Sequence, residues 1–241
     1  EGMNYLKQVN QIIEFSHLEK ILEILSINKK EVYFIGGATR SILSNTYNNK
    51  DIDLVIPDLK DEIIEKISNE FNAKFYSGYR SLAITDNNFE YQINSFRRDI
   101  RPTGRHTKVA KALTLEEDSK RRDFTFNSIY INLLGEAFDL YDGISHFKNS
   151  YLKFIFDPIE QIQKDYLRAI RFMRFLSLFE NTKTSDTDLD AIILLSKNIT
   201  EFVKENKISS ELKKIHTMPY PKNTISFLNG NKELNKFLDY L

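Results

Sequence analysis

The feature that most constrains this chain is a short alternation, Asp51-Ile52-Asp53-Leu54-Val55-Ile56. A strand sends successive side chains to opposite faces, so Asp51 and Asp53 share one face while Ile52, Leu54 and Ile56 share the other. Aspartate is depleted in strands, and two carboxylates side by side repel unless a cation joins them. Hard oxygen ligands at this density suit Mg²⁺. Upstream lie an apolar run, Val32 to Ile35, the pair Gly36 and Gly37, a short segment with Arg40, and a polar loop from Asn45 to Asn49. This order predicts a strand, a tight turn, a helix and a second strand. Glycine permits close backbone approach, N–H groups at a helix start favour phosphate, and Arg40 adds a fixed cation. By itself the glycine pair fits a plain βα turn equally well, and the G-x-G-x-x-G spacing of dinucleotide sites is absent. The whole stretch reads as a metal site beside a phosphate-binding turn.

Charge and length limit the alternatives. Lysine plus arginine equals aspartate plus glutamate at 34 each, so no global basic signal marks a nucleic-acid binder. Local patches remain: Arg97, Arg98, Arg101, Arg105, Lys108 and Lys111 in one window, Arg168, Arg171 and Arg174 in another. With no cysteine, disulfides and thiolate zinc sites are excluded. No apolar run approaches the roughly 20 residues of a membrane span, and no signal-peptide block opens the chain. A soluble protein of the cytoplasm, or of an organelle matrix in a eukaryote, is expected, without membrane association. Glu1 and Gly2 before Met3 resemble a tag remnant.

Apolar spacing predicts one or two helices over residues 4–28, a helix through Ile63, Ile64 and Ile67, and strands near 74–77, 81–85 and 90–96. The basic segment 97–113, with Pro102 and Gly104, reads as a loop. Residues 115–134 regain helical spacing, 136–140 suit a strand, and 141–143 a turn. Beyond Asp157 the chain reads as helical, with breaks near 181–187, Asn206 and 218–223. Asp157, Pro158 and Glu160 make a good helix start. These elements predict an α+β fold with an N-terminal helical extension over 1–156 and an all-helical part over 157–241.

Two further segments offer chemistry. Arg121-Arg122-Asp123 is expected on a helix with Asp123 and Asn127 one turn apart; a surface salt-bridge ladder would look the same. After Pro158, Asp165, Arg168, Arg171 and Arg174 step along one expected long helix, opposite Ile162, Tyr166, Ala169, Ile170 and Met173. A solvated face is the plain reading. Chemically, a carboxylate accepts from an exocyclic amine while a guanidinium donates to ring acceptors, which suits cytosine or adenine.

Taken together the four segments resemble the bacterial-type (class II) tRNA nucleotidyltransferases and their relatives the bacterial poly(A) polymerases, over Val32 to Phe175 with an echo at Ile208 to Ile215. FIGGATR resembles the family's GGxVR turn, KDIDL its DxD, LEEDSKRRDFTFN its RRDFTxN, and KDYLRAIRFMRF its EDxxRxxRxxRF helix. The resemblance implies a polymerase-β-like head, a mixed sheet with flanking helices, followed by a helical neck and a shortened body. It implies Asp51 and Asp53 as catalytic ligands of two Mg²⁺, with Gly36, Gly37, Arg40 and Arg122 at the nucleotide and Asp123 and Asn127 near the ribose. Asp165 and Arg168 would face the base and Arg171 and Arg174 complete the pocket. Asp99 is a candidate third carboxylate. The implied reaction adds CMP and AMP from CTP and ATP to the tRNA 3′ end. Poly(A) synthesis, CC-only or A-only addition, and a silent nucleotide- or RNA-binding module are the alternatives. A histidine-dependent hydrolase lacks its base, since no histidine lies in the four motifs. Ser41 and Lys164 depart from the family, which has Asp and Glu there. Relatives usually carry larger body and tail regions, so a reduced chain or a fragment is expected. Oligomeric state is left open.

Overall fold

The computed structural model describes residues 4–104 and 106–241, with side chains described outside 101–103 and 106–108. The chain divides into two compact units. One holds residues 1–99, 109–122 and 126–144, the other residues 100–108, 123–125 and 145–241.

The first unit is a seven-stranded mixed sheet with helices. In chain order come α1 (Leu6–Phe15), α2 (Glu19–Leu25), β1 (Tyr33–Ile35), α3 (Gly37–Ser44), β2 (Asp51–Ile56), α4 (Asp61–Glu70), β3 (Asn72–Tyr76), β4 (Ser81–Asp86) and β5 (Phe89–Ser95). The strands β6 (Arg97–Thr103) and β7 (His106–Lys111) form a separate two-stranded ribbon. Then follow α5 (Leu115–Ser119), β8 (Ile129–Asn132) and β9 (Ala137–Asp139), and α6 (Gly143–Lys148) begins here with most of its residues in the second unit. The large sheet runs β3-β4-β5-β2-β1-β8-β9. Within this sheet β2 and β5 pair in parallel and the other neighbours pair antiparallel.

Alternation gives the sheet two chemically distinct faces. Ile52, Leu54, Ile56, Leu82, Ile84, Tyr91 and Ile93 are buried on one, where the Tyr91 hydroxyl donates to the Ser16 carbonyl between α1 and α2. On the other, Ile35, Val55 and Tyr130 join Phe96, Ala112 and Leu115 in a smaller apolar cluster. Further along that second face the side chains are polar and open, and Asp51 and Asp53 stand there.

In the second unit, α7 (Pro158–Lys164), α8 (Leu167–Phe175), α9 (Asp186–Phe202), α10 (Glu205–Lys213) and α11 (Pro221–Gly230) enclose an aromatic core of Phe124, Phe154, Phe172 and Phe175. Asp157 caps α7, its Oδ2 accepting the Glu160 N–H at 3.1 Å, with Pro158 at the first helical position as expected. No helix among the described residues is long and apolar enough to cross a membrane.

Three expectations are corrected. The strands β6 and β7 form a ribbon where a loop was expected; the sequence there is basic and carries no period-2 apolar pattern to advertise them. Residues 115–134 are not one helix: α5 ends at Ser119, a single 3₁₀ turn covers Thr125–Asn127, and β8 follows. All four residues of β8 are buried, and a short apolar run buried on both faces cannot be told from helix by period. The expected long helix after Pro158 breaks at Asp165. There the Asp165 carboxylate accepts the Leu167 N–H at 3.0 Å, a local bond that competes with helix continuation.

Candidate active site

The glycine turn and the acidic strand meet in the first unit. Ile35, last of β1, pairs with Asp53 of β2, so the chain leaves β1 beside that carboxylate. Gly36 has φ +62°, and a methyl group there would fall 3.6 Å from Asp53 Oδ2. A side chain is disfavoured there by the left-handed backbone, while the Asp53 carboxylate stands in van der Waals reach. Gly37 opens α3, and a methyl on it would fall 2.5 Å from Asn49 Nδ2. Asn49 Oδ1 in turn accepts the Asp51 N–H at 2.9 Å. Asn49 was not singled out in the sequence; it locks the turn to the start of the acidic strand. Asp51 is exposed and Asp53 half-buried. Register adds a neighbour, since Asp51 pairs with Glu90 of β5. Asp99 lies on β6. Among the described residues no three His, Asp or Glu side chains are grouped to hold a metal ion.

Arg40 and Asn127 come together. The Arg40 Nη1 donates to Asn127 Oδ1, and the guanidinium sits 6.0 Å from the Phe126 ring centre. Ser41 is buried in α3, and its carbonyl accepts the Thr46 N–H at 3.1 Å.

Arg122 is fixed by Asp118, a residue that sequence reasoning passed over. Asp118 is fully buried. Its carboxylate accepts from Arg122 Nη2 at 2.9 Å, Arg121 Nε at 3.1 Å, the Arg97 N–H at 3.0 Å and the Tyr130 hydroxyl at 2.5 Å. Burial alone would raise its pKa, but the two guanidiniums and the tyrosine hydroxyl hold it well below the usual carboxylate range. Burial also opposes the Arg122 charge, which Tyr130 and Asp118 more than restore.

The boundary between units falls between Arg122 and Asp123. Asp123 and Asn127 do not share a helix face, contrary to expectation. Asp123 Oδ2 accepts from Arg171 Nε at 2.6 Å, and although burial pushes its carboxyl up, Arg171 brings it down to about 2. Arg171 Nη1 also lies 3.5 Å from Glu211 Oε1 and Arg174 Nη2 3.3 Å from the same oxygen. Glu211 comes from the echo at 208–215 and accepts Lys214 Nζ at 2.8 Å as well. Arg171 and Arg174 are thus seated on internal carboxylates, and Arg174 Nε is a buried donor without a partner among the described residues.

The break at Asp165 decides how Asp165 and Arg168 are held. The Asp165 carbonyl accepts the Arg168 N–H at 3.0 Å, so the two residues bracket the first turn of α8. The Arg168 Nη1 donates to Gln161, to its carbonyl at 3.2 Å and to its side-chain oxygen. Gln161 Nε2 is a buried donor with no partner among the described residues. Lys164 is the last residue of α7.

The fold has counterparts among known proteins. Residues 32–153 match the model of the poly A polymerase head domain. The CCA-adding enzyme of Lactobacillus delbrueckii subsp. bulgaricus is 30% identical over 205 residues, covering 83% of this chain and 51% of that enzyme. The human mitochondrial CCA tRNA nucleotidyltransferase 1 is 29% identical over 205 residues, covering 82% of this chain and 46% of its own length. A solved CCA-adding enzyme in an apo form superposes with a TM-score of 0.76 at 20% identity, over 98% of this chain and 57% of that one. The Thermotoga maritima CCA-adding enzyme complexed with tRNA(CCA) gives 0.73 at 20%, over 98% and 55%. The chain spans about half the length of the curated relatives it matches. It belongs to the family of CCA-adding nucleotidyltransferases and poly(A) polymerases that share this head domain.

Proposed function

We propose that the chain is a template-independent nucleotidyltransferase that adds CMP and AMP to the 3′ end of tRNA, using CTP and ATP. Its head spans 1–156 and its helical part 157–241. The observation that carries this reading is the 3.6 Å approach between the Gly36 position and Asp53 Oδ2, which sets a phosphate-binding turn against an acidic strand. The donor set fits magnesium: Mg²⁺ takes one or two carboxylates and completes its shell with water and substrate phosphate, and Asp51 and Asp53 supply two on one open face. When bound there, two such ions supply charge that eases deprotonation of the RNA 3′-hydroxyl and steadies the pyrophosphate.

The chain's own residues do the rest. Gly36 and Gly37 let backbone N–H groups at the start of α3 approach the phosphates. Arg40 and Arg122 neutralise phosphate charge, the latter held by Asp118. Asn127, hydrogen-bonded to Arg40, and Asp123 are assigned to the ribose. Asp165 and Arg168 select the base by offering an acceptor and a donor to cytosine or adenine. Arg171 and Arg174, seated on Glu211, brace that reader. The 3′-hydroxyl oxygen bonds to the α-phosphorus as the bond to pyrophosphate breaks. Such an enzyme works where tRNA matures, in the cytoplasm or an organelle matrix.

The test is extension of a tRNA that lacks its CCA end, with CTP, ATP and Mg²⁺. The wild type is expected to add C, C and A, and Asp53→Ala to lose about a hundred- to a thousandfold in rate, the range typical of a lost electrostatic contact in the transition state. Failure of the wild type to extend any tRNA, or equal extension by Asp53→Ala, would refute it. The matched head-domain model carries the poly A polymerase description, which favours poly(A) synthesis as the second reading. Supplying one nucleotide at a time separates the two: a ladder of A residues without CTP is the poly(A) outcome.

A further inference from the structure

The open face of the sheet continues well past the aspartates. Register places Asp53 beside Gln92 of β5, Gln92 beside Ala83 of β4, and Ala83 beside Lys74 of the edge strand β3. Paired residues point to the same side of a sheet, so these four make a single row. At about 4.8 Å per strand the row is about 14 Å long. Tyr76, two residues beyond Lys74, shares the face and is 42% exposed. Lys74 Nζ lies 4.9 Å from its ring centre. Gln92 and Lys74 are exposed and Ala83 is small, so the floor between them is low and open.

Reaction geometry says what this floor is for. In a displacement at phosphorus the attacking and leaving oxygens lie on opposite sides. The phosphate-binding turn follows β1, and β1 and β5 flank β2 on opposite sides. With pyrophosphate leaving toward β1 and α3, the attacking hydroxyl arrives from the β5 side. The strand that carries it then crosses β5, β4 and β3, a path of roughly two to four nucleotides.

We propose that this face is the acceptor-strand subsite. The single-stranded 3′ end of the RNA lies across β5, β4 and β3, with a nucleobase stacked on Tyr76 and a backbone phosphate on Lys74. An exposed aromatic beside a lysine is how single strands are gripped without regard to sequence, and the cation over the ring holds both side chains in place. The inference rests on the nucleotidyl-transfer reading for the direction of approach.

Its test separates the two. A short fluorescein-labelled oligoribonucleotide with a free 3′-hydroxyl is titrated with the full chain and followed by anisotropy, without nucleoside triphosphate. CTP affinity is measured separately by calorimetry, and KM for tRNA lacking CCA by extension. Tyr76→Ala and Lys74→Ala are each expected to weaken oligonucleotide binding about tenfold and to raise the tRNA KM, leaving CTP affinity unchanged, while Tyr76→Phe behaves as wild type. Wild-type affinity in Tyr76→Ala, equal binding by Tyr76→Leu and Tyr76→Phe, or no oligonucleotide binding by the wild type would overturn the subsite. If the wild type binds RNA through Tyr76 yet extends nothing, the subsite stands and the transferase reading falls; if it extends tRNA and Tyr76→Ala is indifferent, only the subsite falls.

Discussion

At the scale of single residues, Asp118 shows how one buried carboxylate organises several cations. It accepts four hydrogen bonds, from Arg122, Arg121, Tyr130 and the Arg97 backbone. Removing the charge while keeping the shape leaves buried guanidiniums uncompensated, which typically costs about 3–5 kcal/mol. Asp118→Asn is therefore expected to lower the urea midpoint strongly and to weaken nucleotide binding through Arg122, whereas Glu116→Gln, two residues away and exposed, should change neither. Unchanged stability of Asp118→Asn would remove this role. The motif arginines were legible in the sequence, but their anchor was not. A carboxylate three and four residues before two arginines reads as a solvated ladder until burial is known.

At the scale of elements, the break between α7 and α8 decides how Asp165 and Arg168 are held. Its main-chain groups are met by the ribbon tip: the Gly104 N–H donates to the Gln163 carbonyl at 2.9 Å, and the Tyr166 N–H donates to the Gly104 carbonyl at 2.9 Å. Gly104 has φ +66°, and a methyl there would sit 2.4 Å from Phe202 Cδ1, whose ring stacks on Tyr166 at 4.7 Å. Gly104→Ala is expected to cost about 2–4 kcal/mol from backbone strain and overpacking, a fall in thermal midpoint of about 5–10 °C. An unchanged midpoint would mean that the tip does not brace the break. The capping signal at Asp157 and Pro158 was visible because it is local. The break at Asp165 was not, since an apolar stripe at helical spacing runs straight through it.

At the scale of the whole molecule, acid should find both units vulnerable. Asp118 in one, and Asp123 and Glu211 in the other, keep their carboxyls below the ordinary range despite burial, because arginines face them. Folded-state values below those of the unfolded chain mean that this stabilisation is complete above about pH 4 and is lost as pH falls toward about 2. Asp123, brought down to about 2, contributes about 2 kcal/mol of it. Urea midpoints are expected to drop steeply over that interval, and Asp123→Asn, already destabilised at neutral pH, to drop less. A flat profile would contradict the assignment.

What the sequence determined by itself was whatever short-range rules dictate: the alternation that puts Asp51 and Asp53 on one face, the glycine turn and helix start that follow β1, and the order of four motifs. Tertiary structure alone decided which groups neutralise one another. Asn127 goes to Arg40, Asp123 to Arg171, Glu211 to two arginines, and Lys74 falls in the row of Asp53 across three strand pairings. The physical reason is range. Periodicity and capping are set by neighbours a few residues apart, whereas ion pairing and strand register depend on groups brought together from tens of residues away, which only the folded chain specifies.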